Sequence, residues 1–235
     1  SCDFHCRLYA TGWFALSAEQ TTLVFGLGVA GLAVANALHE RGESVILADD
    51  QATKLHKDFA RALNCEFIDA TDEVAVVSTL KRITRLAPAP GISESHHVMA
   101  TARQMGLTIS SELELAYNIE ELRTGGPRPM LGITGTDGKT TTTLMTAAML
   151  HAAGHKSLAV GNTETPLIAA LNTDAQVFAV ECSSFRLANC ENFRTRASVW
   201  LNLAPDHLDW HTNMESYTSA KAQMWANTRA GDVAV

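Results

Sequence analysis

No stretch of the chain restricts its fold as much as Leu131-Gly132-Ile133-Thr134-Gly135-Thr136-Asp137-Gly138-Lys139-Thr140-Thr141. Residues 130–134 read as a strand and 139–152 as a helix, so the glycines fall in a strand-to-helix turn. Such a turn aims backbone N–H groups at one point, and the helix N-terminus adds partial positive charge there. A lysine at that place reaches outer phosphates, and a hydroxyl beside it reaches a magnesium ion. Gly135, Thr136, Asp137, Gly138, Lys139, Thr140 and Thr141 are therefore read as a nucleotide-phosphate loop. The spacing departs from the common Walker loop, because Ile133 stands at the first glycine position and Gly132 lies one residue earlier. The competing reading, a glycine-rich turn with an incidental lysine, leaves the convergence of three anion-binding groups without a reason.

Strands and helices alternate on both sides of this loop, which implies parallel sheets covered on both faces. Residues 1–20 show no period and read as a lead-in. From residue 21 the pattern gives strands at 22–25, 44–48, 66–68, 74–77 and 107–109. Helices are expected at 30–40, 52–63, 94–105 and 112–122, and residues 80–86 fit neither type. The Gly/Pro-rich stretch 124–129 divides the chain, so a Rossmann-like domain over 21–124 and a second α/β domain over 127–235 are expected. In the second, strands are read at 130–134, 157–160, 177–180 and 197–202, with helices at 139–152, 165–171 and 214–227. A last strand begins at 232.

Composition narrows the class. Hydrophobic residues make up 46% and charged residues 18% of the 235 positions, an ordinary globular balance. The net charge of -7 disfavours nucleic-acid backbones and anionic membranes as partners. The most apolar stretch, residues 23–38, is shorter than a membrane span and carries glycines, so a cytoplasmic protein is expected. Five cysteines, an odd number with no CxxC pair, read as free thiols.

Gly26-Leu27-Gly28-Val29-Ala30-Gly31 adds a second glycine-rich turn with dinucleotide-like spacing. Asp49 follows the next strand, where it suits a ribose hydroxyl. A nicotinamide-dependent oxidoreductase is thus a rival reading, but it gives no account of residues 132–141.

The loop Gly135-Thr136-Asp137-Gly138-Lys139-Thr140 resembles the Gly-Thr-Asn-Gly-Lys-Thr/Ser loop of the Mur ligase and folylpolyglutamate synthase superfamily, with Asp137 in the place of Asn. Three later segments resemble that superfamily in order. They are Gly161-Asn162, then Glu181-Cys182-Ser183-Ser184-Phe185, then Asn202-Leu203-Ala204-Pro205-Asp206-His207-Leu208-Asp209 followed by Tyr217 and Ala220-Lys221. In the first half, Ala87-Pro88-Ala89-Pro90-Gly91-Ile92 and Ser110-Ser111-Glu112-Leu113-Glu114-Leu115-Ala116 resemble the D-glutamate-adding branch of the Mur ligases. Arg186 stands where that branch has Gln, Gln51 follows Asp50 where a Thr-Arg pair is usual, and Thr163–Thr165 depart from the pattern after Gly-Asn.

The resemblance implies a P-loop-type central domain that binds ATP and Mg²⁺. Asn162 would line the nucleotide site with the loop. Thr140, Glu181, His207 and a carbamylated Lys221 would hold metal, and Lys139, His207 and Lys221 would serve catalysis. The first domain would bind the UDP-sugar substrate through Gly28, Val29 and Ala30 near the diphosphate, Ala89, Pro90 and Gly91 near the uracil, and Asp49. The expected reaction joins D-glutamate to UDP-N-acetylmuramoyl-L-alanine through an acyl phosphate in peptidoglycan-precursor synthesis. No nucleic acid or membrane insertion is expected, and the full-length enzyme is expected to be a monomer. The chain stops within the central domain, so no ligation by this stretch alone is expected. Another Mur-type or folate ligase, and a nucleotide-binding fragment, are the remaining alternatives.

Overall fold

The computed structural model describes residues 20–235. The lead-in, with Cys2, Cys6, Trp13 and Phe14, lies outside the described residues apart from Gln20. The first half alternates strands β1 (Thr21–Phe25), β2 (Ser44–Asp49), β3 (Glu66–Asp69), β4 (Arg85–Pro88) and β5 (Thr108–Ile109) with helices. These are α1 (Val29–Glu40), α2 (Lys54–Ala62), α3 (Glu73–Leu80), α4 (His97–Gln104) and α5 (Glu112–Glu121). The second half holds β6 (Met130–Thr134), β7 (Ser157–Gly161), β8 (Val177–Glu181), β9 (Ala197–Trp200) and β10 (Val233–Ala234). Its helices are α6 (Lys139–Ala152), α7 (Leu167–Ala170), α8 (Ser184–Leu187) and α9 (Met214–Ala222). Each half forms one parallel five-stranded sheet, ordered β3-β2-β1-β4-β5 and β10-β9-β6-β8-β7. The central strands are buried along nearly their whole length, as strands covered on both faces must be. The third glycine of the first turn is steric in origin: a Cβ on Gly31 would stand 1.9 Å from the Gly26 carbonyl oxygen.

One element differs in type from the sequence reading. Residues 74–77, read as a strand, belong to helix α3. Four consecutive apolar residues fit either type, and the cap decides here. The Asp72 carboxylate accepts the N–H groups of Val74 and Ala75, and Val76, Thr79 and Leu80 then bury one helical face while Val74 is exposed. Residues 80–86 contain the end of α3, a turn and the start of β4. Other elements are shorter than read. The helix expected at 214–227 ends at Ala222 and passes into a 3₁₀ turn, Gln223–Trp225.

Helix α5 joins the two halves. Three of its glutamates are buried, which is costly unless each is satisfied. Glu112 pairs with Arg186 on α8 and accepts the Ile168 N–H at 2.7 Å. Glu114 accepts the N–H groups of Glu191, Asn192 and Phe193 at 2.9–3.0 Å. Glu120 binds the Arg128 guanidinium at 2.5 Å. One apolar cluster runs through from Val24 and Leu47 past Leu113 and Tyr117 to Val160 and Phe178. The two sheets therefore share a core, which fixes their carboxyl ends relative to each other.

Candidate functional site

The loop after β6 enters α6 at Gly138, whose φ is +81° and which has no side-chain cap. The first hydrogen bond of the helix runs from Thr142 N–H to the Gly138 carbonyl. Among the described residues the N–H groups of Gly138, Lys139, Thr140 and Thr141 have no intramolecular partner, as expected for an uncapped helix start. The Lys139 ammonium donates to the carbonyls of Gly135 (2.9 Å) and Thr136 (2.7 Å). Lys221, on α9 and almost fully buried, donates to the same Gly135 carbonyl at 2.6 Å. Burial, and then the neighbouring Lys139 charge, pull the Lys221 pKa down to about 8. Its ammonium lies over the Tyr217 ring at 4.6 Å. Two cations on one carbonyl beside four free N–H groups make a strongly anion-attracting corner.

Opposite this corner, strand β8 ends at Glu181 and β7 at Gly161, paired in register. A Cβ on Gly161 (φ +101°) would come within 2.4 Å of the Glu181 carbonyl oxygen, so only glycine permits this approach. Asn162 Nδ2 donates to Glu181 Oε1 at 3.1 Å. Glu181 Oε2 and Ser183 Oγ are buried and have no protein partner. His207 adopts a left-handed conformation (φ +55°), packs its ring tilted against Phe185 with centroids 4.6 Å apart, and has Nε2 3.3 Å from Asp206 Oδ2. Together the loop 136–141, Asn162, Glu181, Ser183, Ser184, Phe185, His207 and Lys221 line one cleft of about 430 Å³. Every nucleotide, metal and catalytic residue read from the sequence, apart from Gly135, which supplies the shared carbonyl, lines that cleft.

The residues suit a hard cation that keeps water and phosphate oxygens among its ligands. Glu181 Oε2 is an oxygen lacking a donor, and Thr140 adds a hydroxyl at the helix start. Among the described residues no three His, Cys, Asp or Glu side chains group closely enough to hold a metal unaided. Magnesium bound through one or two carboxylates plus substrate phosphates needs no such group.

Sequence reasoning passed over Asn202 and His211. Asn202 belongs to the quoted motif, yet its side chain had no assigned task. It holds the loop: Oδ1 accepts the N–H groups of Thr136 (3.0 Å) and Asp137 (2.9 Å). His211 is 2% exposed, and its Nε2 lies 2.9 Å from Ser184 Oγ. Burial, reinforced by His207 and Lys221, lowers its pKa from 6.5 to about 4. The unfolded chain therefore binds more protons than the folded one between those values, so stability rises with pH through that window. The expected result is a loss of unfolding free energy as pH falls from about 6.5 to about 4. Denaturant titrations of wild type and His211→Asn at several pH values check it, and the variant should show a shallower slope.

The residues read as substrate-binding gather elsewhere, at the carboxyl ends of β1, β2 and β4. Gly28 caps α1, Val29 is exposed and Ala30 is buried. Ala89 donates its N–H to Phe25 and begins the turn through Pro90 and Gly91 to Ile92. Both Asp49 oxygens are engaged, one by the Leu27 N–H at 2.6 Å and one by the Gln51 N–H at 2.8 Å. Asp49 thus braces the glycine turn. The Trp210 indole N–H donates to the Ile92 carbonyl at 2.8 Å, linking this region to the segment that carries His207.

Two family models match the chain: the Mur ligase MurD-like N-terminal domain over residues 20–111 and the Mur ligase middle domain over residues 133–235. The UDP-N-acetylmuramoylalanine–D-glutamate ligase of Thermobifida fusca is 40% identical over 207 residues, covering 86% of this chain and 43% of the relative. That of Mycolicibacterium vanbaalenii is 36% identical over 209 residues, covering 88% and 42%. The chain thus spans less than half the length of these curated relatives. In fold it is similar to the UDP-N-acetylmuramate:L-alanyl-gamma-D-glutamyl-meso-diaminopimelate ligase of Neisseria meningitides. There the TM-score is 0.55 at 18% identity, over 92% of this chain and 71% of the other. It is also similar to the UDP-N-acetylmuramate–alanine ligase of Thermotoga maritima, with TM-score 0.51 at 19% identity, over 91% and 48%.

Proposed function

The chain belongs to the Mur ligase family, and from that premise we propose that it is the nucleotide-binding and UDP-sugar-binding part of an ATP-dependent ligase joining D-glutamate to UDP-N-acetylmuramoyl-L-alanine. The carrying observation is the convergence in one cleft of Lys139, Lys221, the free N–H groups 138–141 and the unpartnered Glu181 oxygen. Because the chain spans under half of its relatives, ligation is proposed for the whole protein and nucleotide binding for this stretch.

In this reading ATP lays its phosphates against the start of α6. The N–H groups of Gly138–Thr141 and the Lys139 ammonium offset their charge, most strongly where negative charge builds up as the γ-phosphoryl passes to the L-alanine carboxylate. A free carboxylate is a poor electrophile, and phosphorylation supplies the leaving group that the D-glutamate amine then displaces, releasing phosphate as the amide forms. Thr140, Glu181, His207 and Lys221 would hold Mg²⁺, which when bound adds Lewis-acid stabilisation to the transferring phosphoryl group. Burial of the Lys221 amine favours its neutral form, the form that adds to carbon dioxide to give a carbamate ligand. Gly28–Ala30 would receive the UDP diphosphate at the α1 N-terminus, Ala89–Gly91 the uracil, and Asp49 would keep the turn in shape.

Calorimetry tests the reading. Mg·ATP and UDP-N-acetylmuramoyl-L-alanine are each expected to bind the chain at one separate site. Tight NAD binding with no heat from Mg·ATP would replace the ligase reading with the oxidoreductase one.

A further inference from the structure

The N–H groups from Thr136 to Thr141 look equivalent in sequence, as donors of one phosphate nest. Their surroundings differ. The Asn202 carboxamide grips the first two: Oδ1 accepts from Thr136 N–H and Asp137 N–H at 3.0 and 2.9 Å, and Nδ2 donates back to the Asp137 carbonyl at 3.1 Å. The Asn202 backbone carbonyl also faces Thr136 N–H, at 3.2 Å. The Thr136 hydroxyl is tied in turn to Ala204 N–H (2.9 Å) and the Tyr217 hydroxyl (3.1 Å). The next four residues, 138–141, line the cleft, and their N–H groups have no partner among the described residues.

We propose that Asn202 is a positioning residue that divides the loop, holding Thr136 and Asp137 N–H out of phosphate contact and leaving Gly138–Thr141 N–H to receive the anion. The proposal rests on the nucleotide reading above and deepens it. The physical ground is a carboxamide's ability to accept and donate at once. One side chain closes a ring on residue Asp137, accepting its N–H and donating to its C=O, so neither the 136–137 peptide nor the 137–138 peptide can flip without breaking a bond to Asn202. The Gly135 and Thr136 carbonyls are thereby kept turned toward Lys139, which bonds to both. The loop meets its ligand already shaped, so affinity is not reduced by the cost of ordering it.

Amide hydrogen exchange on the wild-type chain tests the division directly. Thr136 and Asp137 amides are expected to be protected without nucleotide and unchanged when Mg·ATP is added. The amides of residues 138–141 should exchange fast without nucleotide and become protected with it. Fast exchange at Thr136 and Asp137 in the free protein, or new protection there on binding, would overturn the proposal. Substitution gives an independent arm. Asn202→Ala should weaken Mg·ATP binding about tenfold, the loss of one to two hydrogen bonds' worth of preorganisation, with UDP-sugar affinity unchanged. Asn202→Asp keeps the acceptor oxygen, loses the donor and adds negative charge, so it should bind Mg·ATP no better than Asn202→Ala. Wild-type affinity in both variants sinks the inference and leaves the ligase reading standing. A wild-type chain that binds no Mg·ATP sinks both.

Discussion

Arg186→Ala is expected to destabilise the chain by about 3–5 kcal/mol, the cost of leaving a buried carboxylate without its ion partner. Glu112 and Arg186 are 1% and 6% exposed at their side chains and join α5 to α8 across the two sheets. Burial raises the Glu112 pKa even against the opposing pull of Arg186 and the Ile168 and Leu167 N–H groups. The pair is therefore close to break-even as a pair and costly only when halved. That asymmetry gives the discriminating measurement. By denaturant unfolding, Glu112→Gln with Arg186→Gln should lose much less than Arg186→Ala, because no charge remains buried. The consequence should reach the cleft as well, since Arg186 lies on the same short helix as Ser184 and Phe185. Wild-type stability for Arg186→Ala would show that the Glu112–Arg186 pair adds nothing to the hold between the two halves.

The same residue marks where the sequence was legible and where it was not. The strand-loop-helix order, both glycine turns and the site motifs could be read because each is local: spacing, glycine and a lysine lie within a few residues. Position 186 was set aside as a departure from the resemblance, because its partner Glu112 lies 74 residues away and nothing local pairs them. The double duty of Asn202 was hidden for a similar reason, its contacts with Thr136 and Asp137 spanning 65 to 66 residues. Asp49 has a task that its position after β2 does not announce: the fold brings it under Leu27, where it completes the turn. The misreading of α3 as a strand has a local cause, an apolar run too short to show a period until Asp72 is recognised as its cap.

Lys139→Ala is expected to weaken Mg·ATP binding by about 100-fold, corresponding to the loss of a charge-assisted contact to phosphate. Its ammonium donates to the Gly135 and Thr136 carbonyls. Those bonds are to neutral acceptors at the edge of the cleft, so a triphosphate, with several charges, competes for the ammonium effectively. The fold should survive, because the Gly135 carbonyl keeps Lys221 and the Thr136 N–H and hydroxyl keep Asn202, Ala204 and Tyr217. Lys139→Arg should recover only part of the affinity, since a planar guanidinium cannot occupy the compact position between two carbonyls. A second readout follows from the shared carbonyl. Lys139 is one of the groups that lower the Lys221 pKa toward about 8, so its removal should raise that pKa. Less neutral amine then remains near pH 8, and ¹³C-bicarbonate labelling should detect less carbamate at Lys221. If Lys139→Ala bound Mg·ATP within threefold of wild type, the loop 135–141 would not be the triphosphate site, and the cleft it lines would need another ligand.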